Sequence, residues 1–487
     1  MNNLIKNELT KIFSKKTIYI TMIAIFLLLI FMNCMFKYAN SSSNSAYIYS
    51  ENYINSLKEE LATLNPEKPT DVTLYINLKS EVDVYDLTKK YQNDEWKLAI
   101  INERISPYIT EKNTYLYGTE KNEAQVNEIN KIIDNYTKKI DENDWKYFAK
   151  SDLEEANRKI EDLNAQKQQT QDTEILKNIE SDIKNAEISR EIAEIRLNKN
   201  IPYGTDYKNM ALSRLQTSKS NIIEYESQDK ELTYEEQKDY NDCLKTEAEC
   251  RYILDTGIDI NKTDSLKGIL QDFYSIFGIF LIVVIIMIAG TIVSEEFNKG
   301  TIKLLLVKPY TRNKILMSKL ITTFIMILFV IVATIIMELL VGGILFGFDS
   351  LSVPVVEYNF NTNMIQEINI FAYLGIQTLT QLPMIILLSM LAFAISTIFS
   401  NSALAITISL LGYMSTSIIN QLAMAYDLSF MKYFVTMNWD LSQYLFGNLP
   451  YMQGMSLIMS IIICIIYFLI MAIPTFIIFK KRNIKNI

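Results

Sequence analysis

Glu295 and Glu296 stand side by side and are followed at short intervals by Lys299, Lys303, Lys308, Arg312, Lys314 and Lys319, in a stretch bounded by two long apolar runs. Residues of these types at this spacing do not make a covalent catalyst. They can form ion pairs that orient a partner, because exposed pairs add little energy yet discriminate by sign and geometry. Charge this close to hydrocarbon is expensive, so the stretch has to lie at or beyond a membrane interface. Little other chemistry is available. The chain contains no histidine, which removes Ser-His and Cys-His nucleophiles, histidine metal sites and the usual neutral-pH proton shuttle. No Gly-x-x-x-x-Gly-Lys-Ser/Thr loop occurs, so a nucleotide driving this protein must be bound by another chain. Of the four cysteines, Cys34 and Cys464 fall in apolar runs and read as small hydrophobes. Cys243 and Cys250 would lie roughly 10 Å apart on one helix, too far for a disulfide; a bridge needs a bend between them. No metal-ligand spacing is present.

Polar residues inside the apolar runs form a second candidate set. Gln377, Thr380 and Gln381 sit beside Pro383, and Ser415, Thr416, Ser417, Asn420 and Gln421 cluster further on. Polar groups in lipid are costly unless they face protein or a cavity. Gln377, Gln381, Ser417, Asn420 and Gln421 are therefore the candidate substrate path, and hydrogen bonding between helices would place them equally well. Glu338 is expected to reach the interface rather than stay in the membrane. Gly343 and Gly347 make a weak Gly-x-x-x-Gly packing signal.

These residues must be positioned by membrane helices. Crossing a hydrocarbon core of ~30 Å takes ~20 mostly apolar residues, and runs at 17–36, 273–293, 315–347, 371–398, 402–424 and 456–479 qualify. The third exceeds one crossing and has to tilt or extend. Residues 1–16 read as an amphipathic interfacial helix, with Leu4, Ile5, Leu9, Ile12 and Phe13 opposite Lys6, Glu8, Lys11 and Lys15. The run that follows is long and lacks a nearby small-residue cleavage signal, so it reads as an uncleaved anchor. Six crossings put both termini on one side. Fourteen Lys/Arg fall there, in the first segment, the charged stretch and the tail, whereas the loops around 348–370 and 425–455 hold only Lys432. That side is expected to be cytoplasmic.

Residues 37–272 are different material, with 32 basic and 46 acidic residues against 15 and 9 in the rest. They predict an external, mainly helical domain of coiled-coil type. Val126, Ile129, Ile133, Tyr136 and Ile140 step by three and four; so do Leu153, Ala156, Ile160 and Leu163, and Leu176, Ile179, Ile183 and Ala186. A turn is expected over Asn164–Asp172, and the alternation of Val72, Leu74, Ile76 and Leu78 suggests one short strand near 70–79. The aromatic segment 425–455 suggests short helices at the far membrane boundary.

The segment GTIVSEEFNKGTIKLLLVKPYTRNKILMSKL at 290–320 is similar to the loop between the second and third spans of type-2 ABC exporter permeases. The layout of residues 1–36 and 273–487 resembles that family too, whereas 37–272 carries no signature of it. The resemblance implies an all-α membrane subunit with six transmembrane helices, and a coupling helix at 294–314 that enters a cleft on a separate cytoplasmic ABC ATPase. It assigns this contact to Glu295, Glu296, Lys299, Gly300, Lys303, Lys308, Pro309 and Arg312. It further implies a homodimer or a heterodimer with a related permease. ATP and Mg would be held by the partner, with no cofactor, metal, catalytic residue or nucleic acid belonging to this chain. The cargo, a peptide, antimicrobial or lipid-like compound, would be exported or removed from the outer leaflet of a bacterial plasma membrane. Two other classes compete: a membrane-anchored sensor or adhesin, and an ion-driven secondary transporter. The Lys-, Asn- and Ile-rich composition points to a low-GC Gram-positive source.

Overall fold

The computed structural model describes residues 1–41, 51–228, 230–301 and 310–482. It divides into two compact units, one formed by 1–40 with 260–487 and the other by 41–259.

In the first unit six helices are long and apolar enough to cross a membrane: span 1 (Lys16–Tyr38), span 2 (Phe273–Thr291), span 3 (Arg312–Phe346), span 4 (Ile370–Phe399), span 5 (Ser402–Ala425) and span 6 (Leu457–Lys481). Their starts are set by local chemistry. Thr311, Asn369, Asn401 and Ser456 each accept a backbone N–H of the first turn of spans 3 to 6, satisfying donors that a helix start leaves open. Span 3 has 35 residues and is about 52 Å long at 1.5 Å per residue, so the single long helix overruns the hydrocarbon core. Spans 2 and 4 form the centre, with 56% and 61% of their most apolar windows buried against 22%, 17% and 22% for spans 1, 5 and 6. Their core joins Ile285, Ala289 and Val293 to Leu388, Ala392 and Phe393. The chain is thus a membrane protein of almost entirely helical build.

Before span 1 lies the amphipathic helix Asn2–Phe13, which buries Leu4, Glu8 and Ile12 at fourfold spacing along one face. Between spans 3 and 4 the chain forms an antiparallel hairpin, Val355–Asn359 with Met364–Ile368, in register from Val355↔Ile368 to Asn359↔Met364. The sequence reading had only a loop there. Val355, Val356, Glu357 and Tyr358 are all buried, so the alternation that announces a half-exposed strand is absent. The aromatic segment holds the short helical elements Ser429–Tyr433, Val435–Asn438 and Leu441–Gly447, the last broken by non-helical backbone at Leu445 and Phe446. Tyr426, Phe430 and Tyr433 are exposed, whereas Trp439 is buried.

The second unit is all helical among its described residues. Helices Trp145–Gln169 and Thr173–Asn198 pair through Ile160, Leu163, Ile179, Ile183 and Ala186. The turn between them is shorter than expected, because the first helix runs on to Gln169 and Asp172 caps the second. The strand expected near 70–79 is instead part of the helix Val72–Thr88. That helix packs against Glu51–Thr63 and also against Ser106–Tyr117, so it buries side chains on two faces and loses the single-faced period. Cys243 and Cys250 are free thiols on the one helix Tyr234–Thr256.

Candidate functional site

The charged stretch is tied into the protein's own structure. Glu295 and Glu296 lie in the short helix Ser294–Asn298 that follows span 2. Lys319, about two turns into span 3 and fully buried, places its ammonium 2.9 Å from Glu296 and 2.9 Å from Glu8 of the first helix. It also donates to the Ile292 carbonyl at 3.3 Å. Lys11 pairs with Glu296, and Lys15 pairs with Glu295 at 2.6 Å. Two carboxylates and two ammonium groups, Glu8, Glu296, Lys11 and Lys319, thus form a charge-balanced cluster around a buried lysine. A buried charge needs such partners, since removing one strands the rest without water. Burial alone would push the Glu295 carboxyl up; the hydrogen bond and charge of Lys15, with Lys299, more than offset this and hold it below its ordinary value.

Lys299 is exposed, 3.6 Å from Glu295. Gly300 takes a left-handed φ of +67° that ends the short helix at low cost. Lys303, Lys308 and Pro309 lie outside the described residues. Arg312 turns inward, donating to the carbonyl oxygens of Lys480 at 3.0 Å and Arg482 at 2.7 Å, so it clasps the start of span 3 to the end of span 6. Arg482 in turn lies over the Phe297 ring, 4.6 Å from its centroid. Glu296, Glu295 and Arg312, read from the sequence as partner contacts, are engaged within this unit; Lys299, though paired with Glu295, and Gly300 are exposed. Sequence reasoning missed Glu8, Lys11, Lys15 and Lys319 as the partners. The available signal was Lys319 isolated between Leu316 and Leu320, a cation that an apolar helix cannot hold alone. Beside this cluster a groove of about 320 Å³ runs between the first helix and span 2, lined by Ile12, Ile18, Val284 and Ile288 below the charged side chains.

At the opposite end of the bundle the other candidate set partly converges. Two adjoining cavities of about 320 and 420 Å³ share Met384, Tyr413 and Asp440. Gln377 and Gln381 line the first, Ser417 and Asn420 the second, and Gln421 is exposed and lines neither. Gln381 donates to Asp440 at 2.9 Å, as do Ser442 Oγ at 2.5 Å and the Tyr451 hydroxyl at 3.3 Å. Gln377 donates to the Gln271 carbonyl at 2.8 Å and Asn420 to that of Thr436 at 3.0 Å. Most of these side chains therefore both wall a cavity and pin neighbouring elements. Burial, reinforced by the Asp440 charge, pushes the Tyr451 hydroxyl well above its ordinary value, so it stays a donor.

Glu338 does not reach the interface. It is fully buried in span 3, where Asn33 of span 1 donates to it at 3.0 Å. Nor do Gly343 and Gly347 form a helix–helix seam: the Phe348 ring folds back onto Gly343, where a Cβ would lie 2.2 Å from it. Among the described residues no cluster of metal-ligating side chains occurs.

Comparison with known proteins agrees with the membrane assignment. The chain is 34% identical over 215 residues to the uncharacterized protein YhcI of Bacillus subtilis (strain 168), a match covering 44% of this chain and 67% of that protein. It is 29% identical over 213 residues to the uncharacterized membrane protein YdbK of the same organism, covering 43% of this chain and 79% of YdbK. No solved structure matches. A family described as protein of unknown function (DUF2705) matches residues 235–485, which takes in spans 2 to 6 and just over half of the chain, and the chain belongs to that family.

Proposed function

We propose that this chain is the membrane subunit of an ATP-driven exporter of the type-2 ABC class, docking a separate cytoplasmic ATPase through the segment after span 2. In this reading the end bearing both termini faces the cytoplasm, and residues 41–259 lie outside. The observation that carries it is the buried cluster of Glu8, Lys11, Glu296 and Lys319, which binds the first helix, the start of the coupling segment and span 3 into one piece. A push received at Lys299 would then reach span 3 through Glu296 and Lys319. Lys299 is left outward on that piece to meet an acidic partner surface. The cargo would pass along the Gln381–Asp440 cavities, and dimerisation would use the thinly buried outer spans.

The test is purification of tagged protein from its own membranes, with mass spectrometry for a co-purifying protein that carries a nucleotide-binding loop. Reversing Lys299, Lys303 and Lys308 to Glu should reduce recovery of that ATPase at least tenfold while the permease stays membrane-inserted and monodisperse. Recovery of no nucleotide-binding partner with the native protein would overturn the reading.

A further inference from the structure

We infer that Glu338 binds a proton inside the membrane body and, as the carboxylic acid, closes a two-hydrogen-bond ring with the Asn33 amide. Both residues have no exposed surface. The Asn33 amide nitrogen spends one N–H on the Leu29 carbonyl at 2.8 Å and the other on Glu338 Oε2 at 3.0 Å. Two acceptors are left, Glu338 Oε1 and Asn33 Oδ1, and neither has a partner among the described residues. They face one point: a Cβ on Gly342 would lie 3.0 Å from the first and 3.7 Å from the second. Two bare acceptors sealed from water repel each other, and each lacks the hydrogen bond that a buried acceptor needs. A single proton on Oε1 answers both, because the acid O–H donates to Asn33 Oδ1 while Oε2 keeps the bond it already accepts.

No cation substitutes for that proton. Among the described residues Glu338 has no ion-pair partner. Charged groups on the surrounding elements are engaged elsewhere or distant in the fold. Lys37 of span 1 donates to the Leu345 carbonyl at 2.8 Å, and Lys267, ahead of span 2, to that of Ile260 at 3.0 Å. Glu357 of the hairpin accepts from Tyr373 at 3.0 Å, and Asp272 at the head of span 2 feels Lys267. A metal ion would need several more oxygens and more room. The Leu266 methyl group would lie only 2.7 Å from the Gly342 Cβ point. The site is independent of the proposed ATPase contact. It makes the link between spans 1 and 3 proton-dependent: losing the proton leaves a naked carboxylate against a carbonyl oxygen and parts the helices.

Infrared difference spectroscopy of the lipid-reconstituted protein against Glu338→Gln at neutral pH reads this directly. The native protein should show one extra protonated-carboxyl carbonyl band. A carboxylate band pair in its place would overturn the inference. In parallel, Glu338→Gln, whose amide can donate to Asn33 and accept from it, should keep the native melting temperature, whereas Glu338→Ala should lose several degrees. Equal losses in both variants, or a sodium-dependent rise in the native melting point absent from Glu338→Gln, would also overturn it.

Discussion

Lys319 has no exposed surface and stands between two carboxylates. Replacing it by Met leaves Glu8 and Glu296 buried with only Lys11 to share, a loss on the order of 3–5 kcal/mol for breaking a buried pair. The expected outcome is a markedly lower melting temperature in detergent for Lys319→Met, largely restored in a variant that also carries Glu8→Gln and Glu296→Gln; equal melting of all three proteins would refute it. Glu295 gives a pH prediction. Its folded value lies below its unfolded one, so the stability it lends is present above the unfolded value of about 4.3 and is lost as pH falls through the lower, folded value. A spin label at Lys6 should therefore gain mobility as the medium is acidified below about pH 4.3. Glu295→Gln should be mobile already and respond less; identical pH profiles would count against the pairing. The peculiarity of Glu295 and Glu296 was legible in the sequence, because adjacent carboxylates beside hydrocarbon demand an explanation. Their partners were not, since Lys11 and Lys15 lie 285 and 280 residues away along the chain and only tertiary packing brings them near.

Among elements, legibility followed the one-sidedness of burial. The amphipathic first helix buries one stripe, and the paired helices 145–169 and 173–198 keep one apolar seam between them through Ile160, Leu163, Ile179, Ile183 and Ala186, so those periods could be read directly. Helix 72–88 is squeezed between two neighbours and the hairpin strand 355–358 is buried on both faces; each lost the period that would have named it. The cavity residues show the same limit. Gln377 and Gln381 were identifiable as polar groups in an apolar helix, but Asp440, which both cavities share, sits in an irregular aromatic segment without periodicity. Asp440→Asn should weaken the links to Gln381, Ser442 and Tyr451 together. The measurable result is faster hydrogen exchange across residues 439–451, with the spans unaffected; unchanged exchange there would show that the carboxylate does not organise the segment.

For the whole molecule, the division at 41–259 carries its own expectation. That unit has separate buried clusters, such as Ile100, Ile101, Ile105, Ile140 and Phe148, that draw on no residue of the other unit. Expressed alone, residues 51–259 should be a soluble, monomeric, cooperatively melting helical protein; a molten or aggregated product would show that the unit needs the membrane part. The buried cluster around Lys319 also bears on how the protein is made. Glu8 leaves the ribosome 311 residues ahead of Lys319, an interval of roughly 15–60 s at ordinary rates of synthesis. Throughout it the first helix carries an unmatched Glu8 and unsatisfied lysines and cannot settle in its final seat. Its early companion is the lipid surface, and its docking becomes a late event of assembly that begins only when the third span arrives.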